Sequence, residues 1–370
     1  MNSYHGIIFA YGASAELGEL TRYRTGASLP FCGRYRLIDF AISSMANAGI
    51  HDVGVIMQRD YQSLLDHLGS GKDWDMSRKR GGLRMLPPFG LPEYHTGDYT
   101  GTIEALNAVA TYISGLQQKN IVLMPGNLAT NLDLRDIIAR HEAAGGDITA
   151  VCTAKPYPSS TYRYIVGEDG FSDKILFSQH MDSEGVTPLG AYIISKELLL
   201  SMMADCANNN LRHFHKNAVY RYLQKGGRVA VYTHPGYAVP ITDIRGYFRA
   251  GMDMLNPEIR AEIFPAQRPV RTKNHVEVST YYGDNAGCVN SLVSDGCIIE
   301  GSLENCILGA GVTVGKGAVL KNCILMRGAN IGEGAHLNYV IADKYTRFSP
   351  YITLSGSERL PLVAPKNSVI

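Results

Sequence analysis

Arg22, Arg24, Arg34 and Arg36 set four guanidinium groups into one short stretch of a chain whose formal net charge is only +1. Guanidinium forks grip phosphate oxygens in pairs, so this cluster is suited to phosphate or a phosphorylated metabolite. The same residues serve equally as surface arginines paired with acids at an interface, and both readings stay open. Two glycine-bearing turns come next. Gly12 follows the apolar run Gly6-Ile-Ile-Phe-Ala10, and Gly126-Asn127 follows Asn120-Ile-Val-Leu-Met124. A third pair, Gly101-Thr102, can contact a base or ribose or can simply be the turn that starts a helix. Arg78-Lys-Arg80 reads as an exposed loop. The seven cysteines show no CxxC or Cys/His ligand spacing, and Cys288, Cys297, Cys306 and Cys323 read as small buried thiols.

These groups need elements to hold them, and the chain supplies two kinds. Up to about residue 250, short apolar strands (Gly6 to Ala10, Val53 to Met57, Asn120 to Met124, Asp147 to Val151) alternate with helical stretches. Those helices are expected at Leu37 to Ala48, Ala105 to Ile113 and Leu134 to Ala144. This alternation predicts a mostly parallel sheet covered on both faces, with ligands beyond the carboxyl ends of its strands. The turns after Ala10 and Met124 lie there.

From about Tyr282 the period changes. Asn305-Cys-Ile-Leu308 recurs as Asn322-Cys-Ile-Leu325 and loosely as Tyr339-Val-Ile-Ala342, while Val314-Gly-Lys-Gly-Ala318 recurs as Ile331-Gly-Glu-Gly-Ala335. The interval is 17 residues each time. Three rungs of about six residues, each with an inward aliphatic and small residues between, predict a parallel β-helix. A shorter coil is expected around Asn290-Ser-Leu-Val293, about four coils in all, with terminal surface that another subunit can cover. The expected organisation is an α/β domain over 1–246, a connector over 247–274 and a β-helix with its tail over 275–370.

Composition narrows the functional classes. Hydrophobic residues at 45% and charged residues at 19% fit a globular chain with a sizeable core. Near-zero net charge gives no general attraction to nucleic acid or an anionic membrane. No apolar run is long enough to span a bilayer, and Met1 to Gly6 lacks the features of a secretory leader. A reduced, cytoplasmic setting is the expectation.

The run Phe31-Cys-Gly-Arg-Tyr-Arg-Leu-Ile-Asp-Phe40, continued by Ala41-Ile-Ser-Ser-Met-Ala-Asn-Ala-Gly-Ile50, resembles the ADP-glucose pyrophosphorylase (glucose-1-phosphate adenylyltransferase) family. That family carries F-G-G-K-Y-R-I-I-D-F and then S-N-x-x-N-S-G-I. Further blocks follow in the same order: Tyr99-Thr-Gly-Thr102, Gly190-Ala-Tyr-Ile193, Tyr247 to Leu255, and Asn290-Ser-Leu-Val-Ser-Asp-Gly296. The resemblance implies a Rossmann-like nucleotidyltransferase domain, a left-handed β-helix and a tetramer. It places an allosteric anion site of the family on the segment of Arg22, Arg24, Arg34 and Arg36.

The resemblance also names what catalysis needs: a glycine-rich loop around the triphosphate, cations, and carboxylates on Mg²⁺. Each part is altered here. The family's G-G-x-G-x-R-L becomes Tyr11-Gly-Ala-Ser-Ala-Glu-Leu17, so Glu16 stands at the phosphate-binding arginine. At ~5 Å and an effective dielectric near 20, that reversal is worth roughly 6 kcal/mol per phosphate charge before screening. A lysine becomes Gly26. The metal aspartate of G-D-H becomes Asn127, and that of D-V-G-T aligns with Pro240, with Asp243 three positions on. The lysine that grips glucose 1-phosphate becomes His180, and Pro188 replaces the serine of S-M-G.

The pattern resembles the GlgD-type subunit of that family. It implies a regulatory or structural partner of a catalytic subunit, in a heterotetramer serving glycogen synthesis, with little activity alone. No cofactor is expected in this chain, the Mg²⁺ belonging to the catalytic partner. Gly12, Gly101, Thr102 and Gly126 are the expected remnants of a nucleotide pocket. Two alternatives stand beside this: an active enzyme recruiting Mg²⁺ through Asp243, Asp133 or a partner's residues, and a stand-alone binding protein for a sugar phosphate or nucleotide. His336, the residue type that hexapeptide acyltransferases use as a base, is set aside because a whole nucleotidyltransferase-like domain precedes it.

Overall fold

The computed structural model describes residues 3–11, 16–79, 81–88, 99–157, 160–177, 184–274 and 276–370. The chain forms two compact units, and the division differs from the expected boundaries. Unit 1 holds residues up to Tyr11, Ile38–Pro240 and Ala266–Arg271; unit 2 holds Gly12–Leu37, Ile241–Pro265 and Thr272–Ile370.

Unit 1 is built on an eight-stranded sheet: β1 (Tyr4–Phe9), β2 (Val53–Ile56), β3 (Leu83–Leu86), β4 (Asn120–Pro125), β5 (Ile148–Thr153), β6 (Phe171–Ser172), β7 (Thr187–Ser195) and β8 (Val229–His234). Their order is β6-β8-β5-β7-β4-β1-β2-β3. β1 runs parallel to β2 and β4, while β7 runs antiparallel to both β4 and β5. β1 and β5 are buried at every position, the sign of a strand covered on both faces. Helix α1 (Leu37–Asn47) falls within a residue of its expected span. The stretch expected as one helix over Ala105 to Ile113 is two, α2 (Thr102–Ala108) and α3 (Ala110–Ser114), separated at Val109 with ψ near +19°. Helix α4 (Leu134–Ala144) matches its expectation and stops at Gly145 in the left-handed region.

Residues 266–271 belong to this unit through specific bonds. The Trp74 indole N–H donates to the Arg271 carbonyl at 3.1 Å, and Trp74 packs edge-on against His67. His67 in turn meets Asp39 of α1 at 2.5 Å, both side chains buried.

Unit 2 contains the β-helix. Three parallel sheets carry five strands each, one more rung than the four coils expected. Ile307 pairs with Ile324 and Ile324 with Ile341, the 17-residue repeat seen as physical register. Leu292 pairs with Ile307 at a 15-residue interval, which is the shorter first coil. Cys306, Leu308, Cys323 and Leu325 fill the interior with Val314, Ile331 and Leu337. Residues 12–37 group with this helix. The hairpin of Pro30–Phe31 with Tyr35–Arg36 turns at Gly33, whose φ of +70° and distance to Leu308 leave no room for a side chain: a Cβ there would sit 2.7 Å from the Leu308 carbonyl. Helix α5 (Ile244–Asp253) packs on the same unit, its Tyr247 hydroxyl donating to the Pro30 carbonyl at 2.7 Å.

Candidate functional site

In unit 1, β1 and β4 end side by side, Phe9 opposite Pro125, and the Gly126 N–H donates to the Phe9 carbonyl at 2.8 Å. Asn127 follows at once, half-buried. The short strand Leu128–Ala129 then pairs antiparallel with Val239–Pro240, Pro240 opposite Leu128. Asn127 and Pro240, read from sequence as two altered metal positions 113 residues apart, are therefore brought near each other at the carboxyl edge of the sheet, Asn127 in the turn before the strand whose Leu128 pairs with Pro240. Between them they offer one amide oxygen and no carboxylate. A hard divalent cation draws its affinity from charged oxygen ligands, so these two residues do not fit a Mg²⁺ site.

The two aspartates held in reserve are committed elsewhere. Asp133 caps α4, accepting from the Arg135 and Asp136 N–H groups, and pairs with Arg268 at 3.1 Å. Asp243 caps α5, accepting from the Gly246 N–H at 2.7 Å. Both do the ordinary work of an N-cap carboxylate. Among the described residues, no group of three or more His, Cys, Asp or Glu side chains converges to hold a metal.

Tyr11 is the residue whose importance sequence reasoning missed at this edge. The loss of a glycine was visible, but not that the tyrosine ring packs edge-on against Phe9 and Tyr99, with centroids at 5.9 and 5.5 Å. A ring fills the mouth of the first strand. Gly101 and Thr102 start α2, and an added Cβ at Gly101 would lie 2.2 Å from the Arg212 carbonyl. That glycine is required by backbone contact, so its helix-start role accounts for it. Gly12 and His180 lie outside the described residues.

Near Pro188 the core is aromatic. The Tyr162, Tyr164 and Tyr192 hydroxyls bond to one another at 3.1 and 3.3 Å, and burial pushes all three well above the ordinary phenol range. His215 stacks flat on Tyr162 at 4.3 Å, and burial lowers it to about 4, so it is neutral at pH 7. The Tyr157 hydroxyl donates to the Pro188 carbonyl. Buried Arg163 donates to the Thr187 hydroxyl at 2.8 Å.

In unit 2 the altered loop positions have ordinary roles. Glu16 is exposed, and its carbonyl accepts from the Ile244 N–H at 3.3 Å. Exposure means solvent screening, so the repulsion of a phosphate there falls well below the 6 kcal/mol scale set above. Gly26 is buried in the 3₁₀ turn Gly26–Ser28.

Each of the four arginines has its own partner. Arg22 is exposed and pairs with Glu19 on its own turn. Arg34 is exposed and donates to the Asn274 amide oxygen at 3.0 Å. Arg24 is buried, and its Nη2 donates to both carboxylate oxygens of Asp343 at 2.7 Å. Arg36 is half-buried and donates to the Ser28 hydroxyl at 2.8 Å. Arg24 and Arg36 do converge on a third cation absent from the sequence reading, Lys344. Its pKa is lowered to about 7, first by burial, then by Arg36 and Arg24, with Lys366 adding and Asp343 opposing. Lys344 and Lys366 lie more than 300 residues beyond the arginines, so no local spacing could have shown them. The fields of Arg36, Arg24 and Lys366 all disfavour the Lys344 ammonium, and Asp343, bound to Arg24, opposes them.

Residues 5–176 match the nucleotidyl transferase family, and residues 277–356 match the GlmU-like C-terminal hexapeptide family. A Bacillus subtilis (strain 168) protein named "Glycogen biosynthesis protein GlgD" is 34% identical over 375 residues, covering 100% of this chain and 97% of the relative. The three stacked parallel sheets are accordingly a hexapeptide-repeat left-handed β-helix.

Proposed function

Because the chain belongs to the GlgD-type ADP-glucose pyrophosphorylase family, we propose that it serves glycogen biosynthesis as a regulatory subunit, with negligible nucleotidyl transfer of its own. One observation carries this reading: Pro240 lies opposite Leu128, the residue that follows Asn127, so the two positions where the family's carboxylates would hold Mg²⁺ are neighbours in the fold, and neither supplies a charge. The capping work of Asp133 and Asp243 argues against the reading in which they replace those carboxylates. Tyr11 and the tyrosine network around Pro188 support the loss of triphosphate and sugar-phosphate contacts.

The regulatory half rests on the cations of unit 2. Arg36, Lys344 and Lys366 are the proposed anion site, with Arg24 holding the floor through Asp343. Phosphate or a phosphorylated metabolite binds there and alters a catalytic ADP-glucose pyrophosphorylase subunit with which the chain assembles. The first coil of the β-helix offers one surface for such assembly: its strands Tyr281–Tyr282, Gly287–Val289 and Leu292–Val293 are sheet edges, and Tyr281, Tyr282 and Val289 are exposed.

The test is the effector response of the mixed complex. A catalytic subunit is assayed for ADP-glucose formation with wild-type chain and with the Arg36→Ala, Lys344→Ala double variant, across a titration of phosphate and phosphorylated sugars. The proposal expects the chain to co-purify with the catalytic subunit and the variant to flatten the response. An identical response curve removes the anion site, and failure to co-purify removes the regulatory role.

A further inference from the structure

Unit 2 carries a second recess, independent of the cation cluster, of about 450 Å³ between α5 and one corner of the β-helix. Its floor is a ladder of amides. Asn290 donates to Asn305 at 2.7 Å, Asn305 to Asn322 at 3.4 Å, and Asn322 to Asn338 at 3.1 Å. Asn290, Asn305 and Asn322 occupy the left-handed corner of three successive coils, with φ of +41°, +53° and +50°. Asparagine at such corners is structurally ordinary. What surrounds this ladder is less so.

Each ladder amide spends one N–H on its neighbour and keeps a second donor and a spare lone pair. The groups of asparagines 290, 305 and 322 line the recess. Opposite them, α5 contributes Arg249 and Asp253, and Phe248 with Tyr339 forms an aromatic contact at 5.9 Å. Glu358 closes another side. It arrives by a local insertion: strand Val340–Ala342 pairs with Leu362–Ala364 at a 22-residue interval, against 17 in the preceding coils. The chain lengthens one coil and puts a carboxylate on the rim.

We infer that this recess binds a saccharide. A polar ligand is required, because apolar contents would leave the amide donors and acceptors unmatched. An anion is disfavoured, since Asp253 and Glu358 outnumber Arg249 among the charged lining groups. A neutral, hydroxyl-rich ring satisfies both conditions: vicinal hydroxyls pair with amide, carboxylate and guanidinium groups, and the C–H face lies on Tyr339. The volume suits one or two sugar rings, and small-molecule sites of this size are common. The inference stands whether or not the chain regulates a catalytic partner.

The full-length chain is titrated calorimetrically with glucose, maltose and soluble glycogen, and with inorganic phosphate as the anionic control. Two variants accompany it: Asn305→Gly, which keeps the left-handed corner and deletes an amide, and Glu358→Ala on the exposed rim. Thermal melts of both confirm folding. The expected result is micromolar-to-millimolar binding of at least one saccharide, weakened about tenfold or more in each variant, or about 1.4 kcal/mol. Binding of glucose or maltose alone identifies a free sugar as the ligand, and retained binding of glycogen identifies a chain end; either supports the assignment. No binding of any saccharide, or equal binding by wild type and both variants, overturns it.

Discussion

Arg24 donates through one nitrogen to both carboxylate oxygens of Asp343 at 2.7 Å, with 3% and 1% of the two side chains exposed. The pair joins the 12–37 segment to the penultimate strands of the β-helix within one unit. Removing one partner of a buried pair leaves the other charged and unsolvated, which costs more than the pair contributes. Asp343→Ala is therefore expected to destabilise unit 2 by about 3–5 kcal/mol, read as a lowered urea midpoint. Arg22→Ala, which breaks an exposed pair with Glu19 and an exposed contact with the Tyr23 ring, should leave the midpoint nearly unchanged.

Lys344 makes stability depend on pH. Its pKa is about 7 in the folded chain against a usual 10.5, so between these values the unfolded state holds a proton that the native state lacks. Raising the pH through that window favours the native state; the penalty is full below pH 7 and gone above about 10.5. Lys344→Met should raise stability at pH 7 by a few kcal/mol at most and flatten the rise toward pH 10. Chemical denaturation at a series of pH values reads this directly. A parallel wild-type and variant pH profile would show that the lysine titrates normally.

Saturating anion should push the Lys344 pKa back up, because a bound negative charge favours the ammonium form. Binding of phosphate to the wild-type chain is then tighter at pH 6 than at pH 8, beyond the change due to phosphate's own ionisation. Lys344→Met should lose that extra pH dependence, which titration calorimetry in both buffers measures.

Asn127→Asp with Pro240→Asp returns two carboxylates to a turn and the strand beside it. The double variant is expected to bind Mn²⁺, detectable by electron paramagnetic resonance, where the wild type does not. It should still release no pyrophosphate, because Tyr11, Glu16, Gly26 and the phenol network remain. Restored turnover would mean that the metal positions alone silence the chain.

The fold was legible wherever one period dominated. The 17-residue repeat became strand register residue for residue, since each coil must place its aliphatic inward above the last. The buried strands β1, β4 and β5 stood out for the same reason: both faces are covered, so their centres are apolar runs without alternation. The break at Val109 had no local signal, because no Gly or Pro marks it. The site was less legible. Altered glycines and charges can be read by position, but Tyr11 packing on Tyr99 and the field of Arg36 at Lys344 depend on the three-dimensional fold. Four arginines close in sequence look like one cluster; burial with Asp343 takes Arg24, and exposure separates Arg22 and Arg34.

The central claim is that this chain has no working nucleotidyltransferase site. The direct measurement is pyrophosphate release by the purified full-length chain with ATP, glucose 1-phosphate and Mg²⁺, with and without a catalytic subunit. The account predicts no release above background from the chain alone, and an altered rate or effector response from the mixture. Sustained, Mg²⁺-dependent release from the isolated chain at a rate comparable with the catalytic subunit would contradict it.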